Sequence, residues 1–363
     1  MNGLGVHELD KSFGQVKALD GLTFEVADGA FFTIVGPTNA GKSTLLKTIA
    51  GLHRQDRGRI EIKGRLVNGL APKDRRVSLL FQNIALFPTL TGFENIAFPL
   101  RAAGETAPEI ERKVRDMTRL LSIEHVLDRL PRTFSGGEQQ RVAIGRALVQ
   151  SSDLLMLDEP LTNLDARIRI HLRIAFKRLH REIGRTTLYV THDQVEAMSL
   201  SDRIGVLNEG RFEQIGTPDD IYHRPATRFV ARFIGTPPMN LIEGDVVEEG
   251  GGIAIAGGGF RVPVPGARRL ACYPKIPHKI TVGIRPEEVE VAPAAGPATP
   301  FQGEVIWVER LGARSIVDVR LGEIIVKAVV RPDHPVETGA PVWLGFAPRP
   351  EHLLDPAVDR FLR

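Results

Sequence analysis

The 363-residue sequence has little cysteine and almost no imbalance of charge, and each shortage excludes a class of protein. Its single cysteine, Cys272, cannot form an intramolecular disulfide, which fits a reducing compartment. The 47 Lys and Arg residues nearly equal the 44 Asp and Glu residues, and the net charge is only +3. This balance gives no reason to expect a nucleic-acid partner.

Long apolar segments are also lacking. No run is long enough to cross a bilayer as a helix. Residues 1–12 carry His7, Glu8, Asp10 and Lys11 where a signal peptide would have its apolar segment. If the protein works at a membrane, we therefore expect a peripheral subunit. What is present is an ordinary globular composition, 42% hydrophobic and 25% charged, over a length that predicts two domains.

In the first part of the chain, apolar runs alternate with helix-like patterns. The runs that predict strands are Phe31–Val35, Leu154–Leu157, Thr186–Val190 and Arg203–Asn208. Helical periodicity covers Ser43–Leu52 and Ala166–Ile183. Strands that alternate with helices predict an α/β fold with a parallel sheet.

The rest of the chain has the pattern of a small β domain. Its short apolar runs, separated by Gly and Pro clusters, are Ile280–Ile284, Val305–Val308, Ile316–Val319 and Ile324–Val326. Such strands predict a small barrel or sandwich. We place the boundary after Gly235, which gives domains over residues 1–235 and 236–363.

The strongest motif lies between an apolar strand and a helix. It matches the phosphate-binding pattern GxxxxGK[ST] with Gly36, Pro37, Thr38, Asn39, Ala40, Gly41, Lys42, Ser43 and Thr44. Backbone N–H groups of such a loop point at phosphate oxygens, and the next helix adds its positive end. We expect Lys42 to neutralise the β- and γ-phosphates and Ser43 to help hold Mg²⁺. The alternative is an incidental glycine-rich turn.

An Asp-Glu pair follows the second predicted strand. Asp158 can hold Mg²⁺, and Glu159 can orient or deprotonate an attacking water. An isolated pair would more often be a solvated acidic turn. After a phosphate loop and an apolar strand, the catalytic interpretation is favoured.

A second anion-binding element precedes that strand. Ser135, Gly136 and Gly137 open a predicted helix, where small residues expose backbone N–H groups and the helix dipole favours negative charge. Alone, the triplet would be only an N-cap. Two phosphate-binding elements in one chain make sense if the second faces a nucleotide held by a partner subunit.

Taken in order, these motifs resemble those of the ABC-transporter ATPases. The resemblance makes Phe134–Glu138 the counterpart of the LSGGQ signature and Gln82 the Q-loop residue that senses Mg²⁺ and water. It also makes Asp165 the last residue of the D-loop, Leu161–Asp165, and His192 the switch histidine that positions the γ-phosphate.

Several residues depart from the family pattern without removing a catalytic group. Phe13 stands where the family usually has the Tyr that stacks on adenine, and stacking needs only the ring. Thr38–Ala40 replaces the Ser-Gly-Cys that is common in sugar importers. Phe134 replaces the signature Leu, and Glu138 replaces the signature Gln. We expect the Glu138 carboxylate to face outward.

The resemblance extends over the tail. Gly216–Tyr222 and Arg228–Gly235 are similar to the segment that closes the ATPase domain in binding-protein-dependent importers. Pro238–Asn240 is similar to the version in carbohydrate importers of the maltose and glycerol-phosphate type, and Gly283–Glu287 to their regulatory domain. The implied fold is a P-loop ABC ATPase domain with a helical subdomain, followed by a small all-β OB-like (TOBE/MOP-type) domain.

The function that this resemblance implies is ATP hydrolysis that powers import of a carbohydrate or polyol. It implies ATP and Mg²⁺, and a homodimer in which each ATP lies between Lys42 of one copy and Ser135 of the other. It also implies two transmembrane permease subunits, an extracytoplasmic solute-binding protein, a possible regulator at the C-terminal domain, and a peripheral place on the cytoplasmic face of the cell (inner) membrane. Residues 83–99 would form the groove for a coupling helix.

Two alternatives stay open at this point. Importers of polyamine, ferric ion or sulfate share the layout, and Pro238–Asn240 favours sugar only modestly. A soluble, non-transport ABC ATPase of DNA repair or translation would usually carry two cassettes or long inserted arms.

One basic run could suggest nucleic acid, and its members are Arg167, Arg169, Arg173, Lys177 and Arg181. Most of them fall on the polar side of a predicted helix. We interpret the run as a solvated helix face.

Overall fold

The computed structural model describes residues 2–162, 164–249, 252–264, 278–347, 349, 352–357 and 359–361. Cys272 and, within the predicted D-loop, Asn163 lie outside these residues. The chain forms two compact units, Met1–Pro218 and Asp219–Arg363.

The two units divide earlier than the boundary that we predicted after Gly235. Residues between 219 and 235 pack with the tail, where the buried Arg285 guanidinium donates hydrogen bonds to the carbonyls of Tyr222 and Ile234. The predicted domain limits, 1–235 and 236–363, stay a prediction.

The strands and helices of the first unit cover most of its length. The strands are β1 (Asn2–Phe13), β2 (Val16–Ala27), β3 (Phe31–Val35), β4 (Arg57–Ile62), β5 (Arg65–Leu66), β6 (Val77–Leu80), β7 (Leu154–Asp158), β8 (Thr187–Thr191), β9 (Arg203–Asn208) and β10 (Arg211–Gly216). The helices are α1 (Lys42–Ile49), α2 (Gly92–Ala102), α3 (Ala107–Leu121), α4 (Gly136–Val149), α5 (Ala166–Ile183) and α6 (Gln194–Leu200). The next helix, α7 (Pro218–His223), begins at the boundary and, apart from Pro218, belongs to the second unit.

The central sheet has the order β10-β9-β3-β8-β7-β6 and is parallel except for β10, which runs antiparallel to β9. Every residue of β3, β7 and β8 is buried. One face of this sheet packs with the antiparallel sheet β2-β1-β4-β5 and α1 around Leu45 and Ile60. The other face packs with α2 to α5 around Val142 and Leu172. Because parallel strands end at one edge, the turns after β3, β7 and β8 meet there.

Several of the helices begin at side chains that cap them. Thr91 and Glu94 form a reciprocal capping box at α2, and Ser135 and Glu138 form one at α4. Asp165 caps α5 by accepting from the Ile168 N–H at 3.0 Å. Among the described residues, no helix combines the length and apolarity that a membrane span requires.

The second unit contains α8 (Arg228–Phe233) and antiparallel strands. They are β11 (Asn240–Glu249), β12 (Gly252–Gly257), β13 (Phe260–Pro263), β14 (Lys279–Ile284), β15 (Glu290–Ala292), β16 (Phe301–Arg310), β17 (Ser315–Leu321), β18 (Ile324–Val330), β19 (Pro341–Gly345), β20 (Leu353–Asp355) and β21 (Arg360–Phe361). The sheets β13-β12-β11-β14-β20-β21 and β15-β19-β16-β17-β18 share one apolar core around Val282 and Val319. The predicted small all-β domain is confirmed.

Candidate active site

The phosphate loop runs from the end of β3 to the start of α1. At two of its positions, the surrounding backbone leaves room only for glycine. A Cβ on Gly36 would lie 2.1 Å from the Leu207 carbonyl oxygen. Gly41 has φ +103°, and its Cβ would lie 2.4 Å from the Ala18 oxygen. Backbone packing therefore explains both motif glycines. Thr38 and Asn39 are exposed, whereas Ala40 is buried.

Lys42 lies inside the loop and is 7% exposed. Its Nζ donates to the carbonyl oxygens of Gly36 and Pro37, both at 2.8 Å. Burial lowers the Lys42 pKa, and the charges of Glu159 and Asp158 partly oppose that shift. Two backbone carbonyls of the loop therefore hold the ammonium group in place.

Asp158 ends β7 and is 4% exposed. Burial raises its pKa, and a side-chain hydrogen bond with Ser43 partly opposes the shift. Among the described residues, no group donates a hydrogen bond to its buried Oδ1. A buried carboxylate oxygen with no donor, beside a hydroxyl, is the chemistry that a Mg²⁺ ion satisfies.

Glu159 follows at φ +48°, a left-handed conformation that is uncommon outside glycine. Its N–H donates to the Val190 oxygen at 2.9 Å, which fixes the turn against β8. Its Oε2 lies 3.1 Å from His192 Nδ1, 3.2 Å from Thr162 Oγ1 and 3.4 Å from Gln82 Nε2. Backbone strain of this kind concentrates at functional turns.

In the signature turn, which precedes and begins α4, Ser135 and Glu138 form hydrogen bonds with each other. The Ser135 N–H donates to Glu138 Oε2 at 2.7 Å, and the Glu138 N–H donates to Ser135 Oγ at 3.3 Å. Glu138 Oε1 also lies 2.8 Å from His125 Nε2 and 3.5 Å from Arg129 Nη1. The Glu138 side chain is 14% exposed and is folded back onto the start of α4. These contacts, led by the Ser135 N–H, lower the Glu138 pKa to about 2. The expectation that its carboxylate faces away from a γ-phosphate stays a prediction.

The structure brings only part of the predicted site together. Lys42, Ser43, Asp158, Glu159, Gln82 and His192 form one cluster at the strand ends. Phe13, 46% exposed, ends β1 and packs edge-to-face with His53 at 5.2 Å between ring centroids. Among the described residues, no hydrogen bond, ion pair or ring contact joins Phe13, Ser135 or Asp165 to this cluster.

Sequence reasoning missed two residues that contact the segments next to Asp165 and His192. Arg169, which we interpreted as part of a solvated basic face, donates to the Leu164 oxygen at 3.0 Å and lies 3.7 Å from the Asp193 carboxylate. Glu196 is 3% exposed and accepts hydrogen bonds from Tyr189 and Thr191, both at 2.8 Å. A signal for Arg169 exists, because it lies one helical turn after Asp165.

Known proteins match this sequence over nearly its whole length. Family models match for the ABC transporter ATPase over residues 19–162, the MalK OB fold domain over 235–289 and the TOBE domain over 282–354. The sn-glycerol-3-phosphate import ATP-binding protein UgpC of Escherichia coli (strain K12) is 42% identical over 98% of each chain. The UgpC protein of Paraburkholderia xenovorans (strain LB400) is 41% identical over 99% of each chain.

A solved structure agrees with these relatives. The chain resembles the dimeric structure of an ATP-binding cassette in a post-hydrolysis state with bound ADP and Pi, at a TM-score of 0.56 and 28% identity. The match covers 59% of this chain and 98% of that one. The chain belongs to the ABC transporter ATPases, as an ATP-binding, ATP-hydrolysing import subunit of the carbohydrate and polyol group.

Proposed function

We propose that this subunit powers uptake of sn-glycerol-3-phosphate or a closely related polyol phosphate. The support is similarity over the full chain to several proteins named for that import, together with a matching MalK-type OB domain. Polyamine, ferric-ion and sulfate importers and soluble ABC ATPases are the competing assignments. The first relatives matched are named for none of these.

The chemistry that we propose rests on one observation, the joining of Lys42, Asp158, Glu159 and His192 at the ends of adjacent parallel strands. The β- and γ-phosphates of ATP would take the place of the two carbonyls at Lys42, cradled by N–H groups of residues 36–44. Phe13 would stack on the adenine.

Mg²⁺ fits the group formed by Ser43, Asp158 and Gln82, because Asp158 keeps a buried oxygen without a donor. The described residues hold no cluster of three or more His, Cys, Asp and Glu side chains suited to a metal. A Mg²⁺ site with few protein ligands is completed by phosphate oxygens and water. When bound, the ion would neutralise charge on the transferred phosphoryl group.

Glu159 is the proposed general base. Its Oε2 lies within 3.4 Å of Thr162, His192 and Gln82, and its charge acts on Lys42 of the phosphate loop. In this role it accepts a proton from water as the water attacks the γ-phosphate. His192 would hold the γ-phosphate, and Ser135, Gly136 and Gly137 of a second copy would cover it, with Asp165 at the junction.

In the cell, we place a homodimer on the cytoplasmic face of the inner membrane, bound to two transmembrane permease subunits. An extracytoplasmic solute-binding protein would deliver the cargo, and the C-terminal domain would receive any regulator. Residues 83–99, which include the exposed Phe87 and Phe98, would receive a coupling helix.

The catalytic proposal is tested by Glu159→Gln in the purified full chain. We expect ATP to bind normally and kcat to fall by about 100-fold or more, since a general base contributes about that much. Glu182→Gln, at an exposed position paired with Arg178, is the matched control. Near-normal turnover in Glu159→Gln would remove Glu159 as the base.

The transport proposal is tested by capturing the chain from native membranes in mild detergent and identifying its partners by mass spectrometry. Two multi-spanning permeases support it, and reconstituted vesicles should then take up glycerol phosphate in preference to maltose or spermidine. Recovery of ribosomal or nucleic-acid partners without a permease would contradict it.

A further inference from the structure

A ring of contacts runs through the Glu159 carboxylate and joins the turn after β7 to the turn after β8. On one side, Thr162 Oγ1 donates to Glu159 Oε2 at 3.2 Å, and the Leu164 N–H donates to the Leu161 oxygen at 3.3 Å. On the other side, His192 Nδ1 lies 3.1 Å from the same Glu159 oxygen. The turn after β7 and the turn after β8 thus meet at one atom.

Arg169 completes this ring by contacting both turns on the side away from Glu159. Its Nη2 donates to the Leu164 oxygen at 3.0 Å, and its Nη1 lies 3.7 Å from Asp193 Oδ2. Leu164 precedes Asp165, and Asp193 follows His192. The planar guanidinium offers separate donors in a fixed geometry, so one side chain can hold both turns at a set spacing.

The His192 side of the ring is anchored to the core. The Asp193 N–H donates to Thr191 Oγ1 at 3.0 Å, and Thr191 in turn donates to the buried Glu196 carboxylate at 2.8 Å. Asp193 also caps α6 by accepting from the Val195 N–H at 2.7 Å. The loop that carries His192 is therefore hydrogen-bonded to the core on one side and contacts Arg169 on the other.

We propose that Arg169 is a positioning residue, which couples the D-loop turn to His192 and so sets the approach of His192 to Glu159. This inference rests on the proposed roles of those two residues. Arg169 touches neither of them directly and acts through the Leu164 carbonyl and the Asp193 carboxylate. The phosphate loop is not part of the ring, so we expect a substitution at Arg169 to change ATP affinity little.

The test is a kinetic cycle on the purified full chain. Arg169→Gln should lower kcat by about tenfold, the size of effect typical of coupling residues, with the KM for ATP unchanged within about twofold. Arg169→Lys should recover part of the loss, because it keeps the charge toward Asp193. Arg178→Gln, on the exposed face of α5, is the matched control and should behave as wild type.

The same substitution in a His192→Ala background separates the outcomes. If Arg169 acts through His192, Arg169→Gln adds less than about a twofold further loss there. The inference would be overturned if the kcat losses of the two substitutions multiply in the double variant. It would also be overturned if a lower melting temperature explains the fall in kcat and Arg169→Lys recovers none of it. Normal kcat in Arg169→Gln beside an inactive His192→Ala would overturn this inference alone, whereas full activity in His192→Ala would contradict the proposed function.

Discussion

Two turns in this chain begin a helix and are proposed to contact phosphate, and they differ in how the helix N-terminus is capped. At α1, Gly41 provides no side-chain cap, and the first turn has no acidic residue. At α4, Ser135 and Glu138 satisfy each other's N–H groups, and the Glu138 carboxylate occupies the positive end of the helix. We call the first turn, which has no side-chain cap, the open turn. We call the second, in which the capping box satisfies two backbone N–H groups, the closed turn.

This difference explains why one chain would carry both turns. An open N-terminus with a buried Lys42 is ready to hold the phosphates by itself. A capped N-terminus has fewer N–H groups left for a phosphate, so we infer that it suits a nucleotide that another copy has already bound and oriented. The comparison predicts separate effects for changes at the two turns.

The largest effect is expected for Lys42→Ala. Removing the ammonium group takes away the charge-assisted contacts of the open turn, and ATP affinity should fall by about 100-fold, measured by calorimetry. Lys73→Ala, in an exposed turn, should bind ATP as wild type. Retained affinity in Lys42→Ala would mean that the loop backbone alone binds the phosphates.

Replacing a glycine in each of the two turns with alanine should change the unfolding free energy by different amounts. Gly41→Ala places a Cβ 2.4 Å from the Ala18 oxygen at φ +103° and should destabilise the chain by about 2 kcal/mol or more. A Cβ on Gly136 meets nothing within 4 Å, so Gly136→Ala should leave the unfolding free energy within about 1 kcal/mol of wild type.

Measuring ATP hydrolysis adds a second difference between the two turns. Gly136→Ala should still bind ATP, but its kcat should fall. Denaturant unfolding and ATPase assays on both variants check the prediction. Full ATPase activity in Gly136→Ala would contradict a phosphate contact at this turn.

A smaller, pH-dependent effect is expected at Glu138. Its pKa of about 2 lies below the ordinary value of 4.5, so its contribution to stability is present above about pH 4.5 and is lost as pH falls toward 2. Glu138→Gln keeps a capping-box residue but loses the charge. We expect a loss of about 1 kcal/mol at pH 7, with the difference from wild type narrowing below pH 4.5 in denaturant titrations. A constant difference at all pH values would show that the charge is unimportant.

Much of the first unit could be predicted from the sequence because its signals are local. α5 (Ala166–Ile183) and β9 (Arg203–Asn208) have the predicted limits. The β3 and β7 runs are apolar on both faces, and the phosphate loop has a fixed spacing. The cluster of Lys42 and Asp158 follows from the meeting of parallel strand ends.

The missed features depend on contacts between segments distant in sequence. Arg169 lies among basic neighbours, and only the path of the Leu164 and Asp193 turns shows what it holds. The Glu138 side chain turns back because His125 and Arg129 approach it from another segment. In the second unit, α8 belongs with the tail because Arg285 reaches the Ile234 carbonyl, which no local pattern reveals.

The central claim is that the open turn of one copy and the closed turn of another form one ATP site. It is tested by mixing two inactive full-length variants, Lys42→Ala and Ser135→Arg, and measuring ATP hydrolysis. In a mixed dimer, one site combines an intact Lys42 with an intact Ser135, so hydrolysis should reappear on mixing. A mixture as inactive as its components, although mixed dimers are shown to form, would contradict the shared site.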